Sequence, residues 1–186
     1  MEILVAFGSK RGGTEGLAGM IADGLNAEGL TAVARDAAGV QSIEGYDAAV
    51  VAGALYANRW YRDARRFVRS HTAELRSMPV WFVSSGPLGD QAAEGDKPPT
   101  AGVRKLMERV GARGHITFGG CLDPHASGFV ASLMARSLAG DWRDPAQVRA
   151  WAASIAAELR ATEAATEITG GTGAEPPVSH HEVKAS

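Results

Sequence analysis

The chain has 186 residues, 45% hydrophobic and 22% charged, with a formal net charge of −2. That length suits a single domain with a sizeable core. Residues 163–186 hold four acids and one lysine, which leaves 17 acids against 18 bases in residues 1–162. A body so close to neutral lacks the basic footprint of a nucleic-acid binder, and no nucleic acid is expected as a partner.

In chain order, residues 3–7 form an apolar run of strand type, and residues 14–28 follow with helical spacing, Leu17, Met20, Ile21 and Leu25 on one stripe. The turn between them, AFGSKRGGTE, carries hydroxyls and glycines. A strand, such a turn and a helix place an anionic phosphate on the helix N-terminus, where unpaired N–H groups and the positive end of the dipole converge.

Three phosphate ligands compete for this turn. A nucleoside-triphosphate loop needs GxxxxGK[ST]. Gly8 and Gly13 have that spacing, but Thr14 replaces the lysine and Glu15 stands where the metal-holding hydroxyl belongs. A dinucleotide loop needs GxGxxG, and Gly8, Lys10 and Gly13 do not fit that register, although Asp36 falls where the ribose-binding acid would. A flavin mononucleotide loop, roughly [ST]-x-x-G-x-T, does fit. Ser9 and Thr14 supply hydroxyls, and the backbone of Lys10, Arg11, Gly12 and Gly13 is free to wrap a terminal monophosphate.

Further strands are expected at 31–34, 48–52, 80–83 and 115–118, and further helices at 62–76, 101–110 and 146–160. This alternation predicts an α/β fold: a five-stranded parallel sheet with helices on both faces, in the order 2-1-3-4-5. From Glu163 the chain loses its periodicity and gathers Gly, Pro, Thr and Ser, so a domain over 1–162 and a disordered tail over 163–186 are expected. His180 and His181 in that tail read as idle, and His71, His115 and His125 lack metal-ligand spacing, so no metal is expected.

Cys121, the only cysteine, excludes an intramolecular disulfide and fits a reducing compartment. It falls just past the fifth strand, two strands from the expected flavin, and reads as a packing residue. The longest uncharged apolar stretch, 48–57, is too short to span a bilayer. No leader pattern precedes the first strand, and a soluble cytoplasmic protein is expected.

The sequence resembles the flavodoxin superfamily over about residues 1–160, and within it the branch of menaquinone-dependent protoporphyrinogen dehydrogenases. The marks are FGSKRGGT in the first turn, VVAGALYANRWYRDARRFV after the third strand, Met78–Pro79, SSGPLG at 84–89, and GDWRDPAQVRAWA near the end. The resemblance implies a flavodoxin-like three-layer sandwich and non-covalent FMN, held by the loops after strands 1, 3 and 4. It also implies an oxidoreductase, quinone-linked and acting on protoporphyrinogen in haem biosynthesis, with a flavodoxin-type electron carrier as the alternative.

The expected site follows from that switch point. Ser9, Lys10, Arg11, Gly12, Gly13 and Thr14 would hold the phosphate. Ala54, Leu55, Tyr56, Ala57, Asn58 and Trp60 would flank the ring on one side, with Tyr56, Trp60 or Tyr61 stacking on it. Ser85, Gly86, Pro87, Leu88 and Gly89 would meet its edge.

Carrier flavodoxins are strongly acidic around the flavin, whereas the segment after the third strand here is basic. Arg62, Arg65, Arg66 and Arg69 share one helical face. Together with Arg59, Arg62 and Arg66 are substrate candidates, because guanidinium pairs with the carboxylates of a tetrapyrrole. The same face would suit an anionic membrane surface during reduction of a quinone. Residues 126–140 put Phe129, Leu133, Met134 and Leu138 on one side, most simply for packing against the sheet. No acid–base residue is singled out.

Overall fold

In the computed structural model, the described residues are 1–9, 12–86, 97–122 and 140–170. The strands are β1 (Glu2–Gly8), β2 (Thr31–Asp36), β3 (Ala48–Tyr56), β4 (Arg59–Trp60), β5 (Val80–Ser85), β6 (Gly114–Phe118), β7 (Cys121–Leu122) and β8 (Gly140–Asp141). The helices are α1 (Gly13–Ala27), α2 (Arg62–Ser70), α3 (Thr72–Arg76), α4 (Ala101–Val110) and α5 (Pro145–Gly170).

The parallel sheet runs β2-β1-β3-β5-β6. This is the expected 2-1-3-4-5 order, because β4 is a two-residue antiparallel strand folded back on β3. Register along β1 pairs Val5 with Ala34 on one side and with Val50 on the other, so all the C-terminal strand ends reach one edge.

Each face of the sheet has its own core. Ile3, Val5, Val50 and Val83 join Leu17, Ile21 and Leu25 of α1 and Val148, Ile155 and Leu159 of α5. On the opposite face Leu4, Val51 and Phe82 join Phe67 and Val68 of α2, Leu75 of α3, and Val103 and Leu106 of α4. Strand residues thus alternate between two helical layers, as expected of a sheet covered on both sides.

Two expected helices differ from the structure. The stretch 62–76 is broken at His71, which ends α2 with φ −109° and starts α3. Its ring faces the Phe67 carbonyl within α2 at 3.1 Å and the Gln41 carbonyl at 3.4 Å, the latter a contact with a separate segment that a local periodicity cannot show. The last helix, expected to stop at 160, continues to Gly170 and so enters the segment read as a tail. Ala and Glu dominate residues 163–167 and are strong helix formers, which outweighs the loss of an apolar stripe. Its start is sharp: Asp144 Oδ1 accepts from the N–H groups of Ala146 and Gln147, just ahead of Pro145 in the first turn.

The expectations for residues 126–139, for His125 and for His180 and His181 lie outside the described residues. Among the described residues, no helix is long and apolar enough to cross a membrane, and no group of three or more His, Cys, Asp or Glu could hold a metal ion.

Candidate functional site

The first turn sits at the C-terminal edge of the sheet, between the interior strand β1 and α1. Helix α1 starts on Gly12, whose φ of 76° lies in the left-handed region and which offers no side chain to cap the helix. The N–H groups of its first turn have no acceptor within the helix. Thr14 is buried at 1% exposure in that turn, while Ser9 and Gly13 are half-buried. A cradle of small residues, uncapped amides and a hydroxyl fits a phosphate monoester. Lys10 and Arg11 lie outside the described residues.

After β3 the chain does not enter an open loop. Leu55 pairs with Trp60 and Tyr56 with Arg59, making a tight hairpin. Its two turn residues, Ala57 and Asn58, have φ of 47° and 60°. Both signs are those of a type I′ turn, which matches the twist of paired strands but strains any residue with a Cβ. The hairpin leaves Tyr56, Ala57, Asn58 and Arg59 exposed, with Tyr56 the one large apolar side chain exposed among the described residues. Tyr61 stands against it edge-on, ring centroids 6.0 Å apart.

Trp60, expected at the flavin ring, is a core residue instead. It is 1% exposed, its indole lies 4.7 Å from the Phe82 ring, and its Nε1 donates to Ser84 Oγ at 2.9 Å. Gly53 leaves the room it needs, since a Cβ there would collide with the indole. The β4 pairing turns Trp60 inward, which an unstructured loop would not have done. Ala54 is likewise buried, and its carbonyl accepts from Tyr61 N–H at 2.8 Å. Of the three aromatics, Tyr56 is exposed and Tyr61 is half-buried.

The third expected segment is described through Gly86. Ser85 is buried, and Gly86 takes a φ of 118° that only glycine adopts easily. A Cβ on Gly86 would lie 3.9 Å from Leu55 Cβ, so the end of β5 and the base of the hairpin are neighbours. Pro87, Leu88 and Gly89 lie outside the described residues.

Helix α2 joins the site through its first turn. A Cβ on Gly8 would come within 2.5 Å of Ala64 N, so α2 packs directly on the end of β1. Along α2, Arg62, Asp63, Arg65, Arg66, Arg69 and Ser70 line an open groove of about 520 Å³. Arg62 is tied to Asp63 at 3.2 Å and lies over the Tyr61 ring at 5.9 Å. Arg65 Nε is buried without a hydrogen-bond partner among the described residues. Arg59 sits on the hairpin rather than in the groove.

Two features escaped the sequence reading. Cys121, placed away from the flavin by strand order, lies beside the phosphate turn. A Cβ on Gly13 would meet the Cys121 carbonyl at 2.6 Å and its Cβ at 3.6 Å. After β6, strands β7 and β8 pair antiparallel beside the start of α1. The second feature is Arg143, which donates to the Gly13 carbonyl at 3.3 Å and is clamped by Asp141 at 2.7 and 2.5 Å. The clamp holds the Asp141 carboxyl below its ordinary range, through hydrogen bonding to Arg143 against the cost of burial, and holds Arg143 above its own.

A parallel sheet of this order with a phosphate cradle on its first turn defines a mononucleotide-binding α/β protein. The family profile described as "Flavodoxin domain" matches residues 4–139, and the chain belongs to that family. FMN is its cofactor, and the cradle of Ser9, Gly12, Gly13 and Thr14 fits that group. No curated protein matches significantly.

Among solved structures, a cysteine-to-serine mutant of the flavodoxin from Pseudomonas aeruginosa is similar at 18% identity and TM-score 0.58, over 86% of this chain and 99% of that one. A flavodoxin from Streptococcus pneumonia is similar at 18% identity and TM-score 0.56, over 85% and 99%. Rubredoxin oxygen:oxidoreductase from Desulfovibrio gigas matches at 13% identity and TM-score 0.59, over 86% of this chain but 36% of that larger one. At such identities the likeness is one of fold.

Proposed function

We propose that this flavodoxin-domain protein is an FMN-dependent oxidoreductase that dehydrogenates protoporphyrinogen and passes the electrons to a quinone. The observation that carries the proposal is the arginine groove on α2, whose first turn packs on the end of β1 beside the phosphate turn. Carboxylate side chains of a tetrapyrrole pair bidentately with guanidinium, and an unpartnered, buried Arg65 Nε gains most from such a partner.

Bound FMN supplies a two-electron acceptor at the sheet edge. The chain's own part is to bind and orient. The first turn of α1 holds the phosphate, Tyr56 and Tyr61 offer aromatic surface beside the ring, and the α2 arginines hold substrate carboxylates. Each turnover removes two hydrogens from the tetrapyrrole and adds two electrons and two protons to the quinone. The basic face also favours contact with an anionic membrane, where quinones reside. The cytoplasm remains the expected compartment.

The alternative is a flavodoxin-type electron carrier, favoured by the flavodoxins among the similar structures. Purified protein titrated with FMN and then assayed with protoporphyrinogen and menaquinone separates the two. Oxidation that collapses in Arg62→Glu/Arg66→Glu, with FMN affinity intact, supports the enzyme. A yellow protein without oxidation, which instead relays electrons between redox proteins, supports the carrier. A colourless protein indifferent to FMN overturns both.

A further inference from the structure

We propose that Arg143 is a positioning residue for the phosphate end of the FMN site, and that it sets the preference for FMN over phosphate-free riboflavin. The inference rests on the FMN assignment and concerns a residue that the phosphate-loop motif does not contain.

Arg143 stands 130 residues from Gly13 in the chain, yet its Nη1 donates to the Gly13 carbonyl at 3.3 Å. The other edge of the guanidinium is fixed. Its Nε and Nη2 donate to the two carboxylate oxygens of Asp141, and the Arg143 N–H donates to Asp141 Oδ1 at 3.1 Å. This fork leaves Nη1 a single direction, toward α1.

The helix makes room for it. A Cβ at Gly16 would collide with Nη1, and glycine in a helix is a weaker helix former than alanine. Gly13, in the same turn, is pressed by the Cys121 carbonyl of β7, the strand paired with β8. The first turn of α1 is therefore shaped around a group delivered from the far end of the chain.

Two consequences reach the phosphate. A peptide is planar and trans, so fixing the Gly13 carbonyl also fixes the Thr14 N–H that points the opposite way. That N–H is one of the uncapped donors of the helix start, and a bond to the carbonyl of its peptide strengthens it as a donor. The second consequence is charge. A cation beside a helix N-terminus is unfavourable on its own, because the dipole is positive there. An anion bound in the turn reverses that sign, and the guanidinium then adds to the field that holds it.

The test titrates FMN and riboflavin separately into the full-length apo-protein, following flavin fluorescence, for the native chain, Arg143→Gln, Arg143→Lys and Gly16→Ala. Arg143→Gln is expected to lose about tenfold in FMN affinity and nothing for riboflavin. Arg143→Lys, which keeps the charge, is expected to recover part of that loss. Gly16→Ala displaces the guanidinium while improving helix propensity, so it is expected to show the same selective loss without a lower Tm. Equal losses for both flavins, or an FMN loss that merely tracks Tm, would show a structural latch and overturn the proposal. A native chain that binds riboflavin and FMN equally would also overturn it while leaving flavin binding intact. A native chain that binds neither would overturn the cofactor assignment itself.

Discussion

At the scale of single residues, the site divides by how far apart its partners lie in the chain. Ser9, Gly12 and Thr14 were legible because a phosphate turn is local: hydroxyls, glycines and a helix start within six positions state their own purpose. Arg143 was not, since its meaning comes from Asp141 on one side and Gly13 on the other. The ion pair has a testable signature in pH. Because the carboxyl of Asp141 is held below its ordinary value of 3.8, the folded state releases that proton more readily than the unfolded chain. Its stabilisation is therefore fully present above about pH 4 and is lost as pH falls through the lower folded value. Urea titrations of the native chain and Asp141→Asn should differ at neutral pH and converge in strong acid. A constant difference between them would dissociate the pair from stability. Asp141 is half exposed, so the difference is expected to be small and to shrink with salt.

Among the elements, the strands were legible because β-branched and aromatic runs between turn residues report two-sided burial directly. Strand β6 (Gly114–Phe118) differs from expectation by one residue at its start. The β3–β4 hairpin was hidden, because Ala57-Asn58 carries none of the glycine that marks a type I′ turn. That disguise has an energetic consequence. Ala57 and Asn58 occupy left-handed backbone where a Cβ costs about 1–2 kcal/mol per residue, less for asparagine. Buried Trp60, bonded to Ser84 and packed on Phe82, anchors one arm and outweighs the strain. Strain of this kind collects where geometry serves a ligand, and here it presents Tyr56 and Arg59 at the sheet edge. Ala57→Gly should relax the turn and raise the unfolding free energy by up to about 1 kcal/mol in chemical denaturation, less the entropy glycine loses on folding. A loss of stability would mean that the turn is not strained. Any accompanying fall in FMN affinity would show that the stiffness of the hairpin is part of the site.

For the whole molecule, the sheet edge gathers segments that the chain keeps far apart: the first turn, the β3–β4 hairpin, the end of β5, and the β7–β8 pair with Arg143. Unfolding any one layer dismantles this edge, because each face of the sheet carries a separate core and both cores share its strands. FMN bound there should consequently stabilise the entire domain. A ligand that binds only the folded state adds RT ln(1 + [L]/Kd), about 2.7 kcal/mol at one hundred times Kd, and continues to add after the site is saturated. Thermal unfolding of the apo-protein with rising FMN should show a Tm that climbs logarithmically rather than reaching a plateau. Thr14→Val should need more FMN for the same climb, since losing a hydroxyl donor to a charged acceptor costs about 1–3 kcal/mol of binding. A Tm that stops rising at saturation would place FMN on the unfolded chain as well. An unchanged climb in Thr14→Val would remove that hydroxyl from the phosphate cradle, leaving the backbone amides of α1 to hold the anion alone.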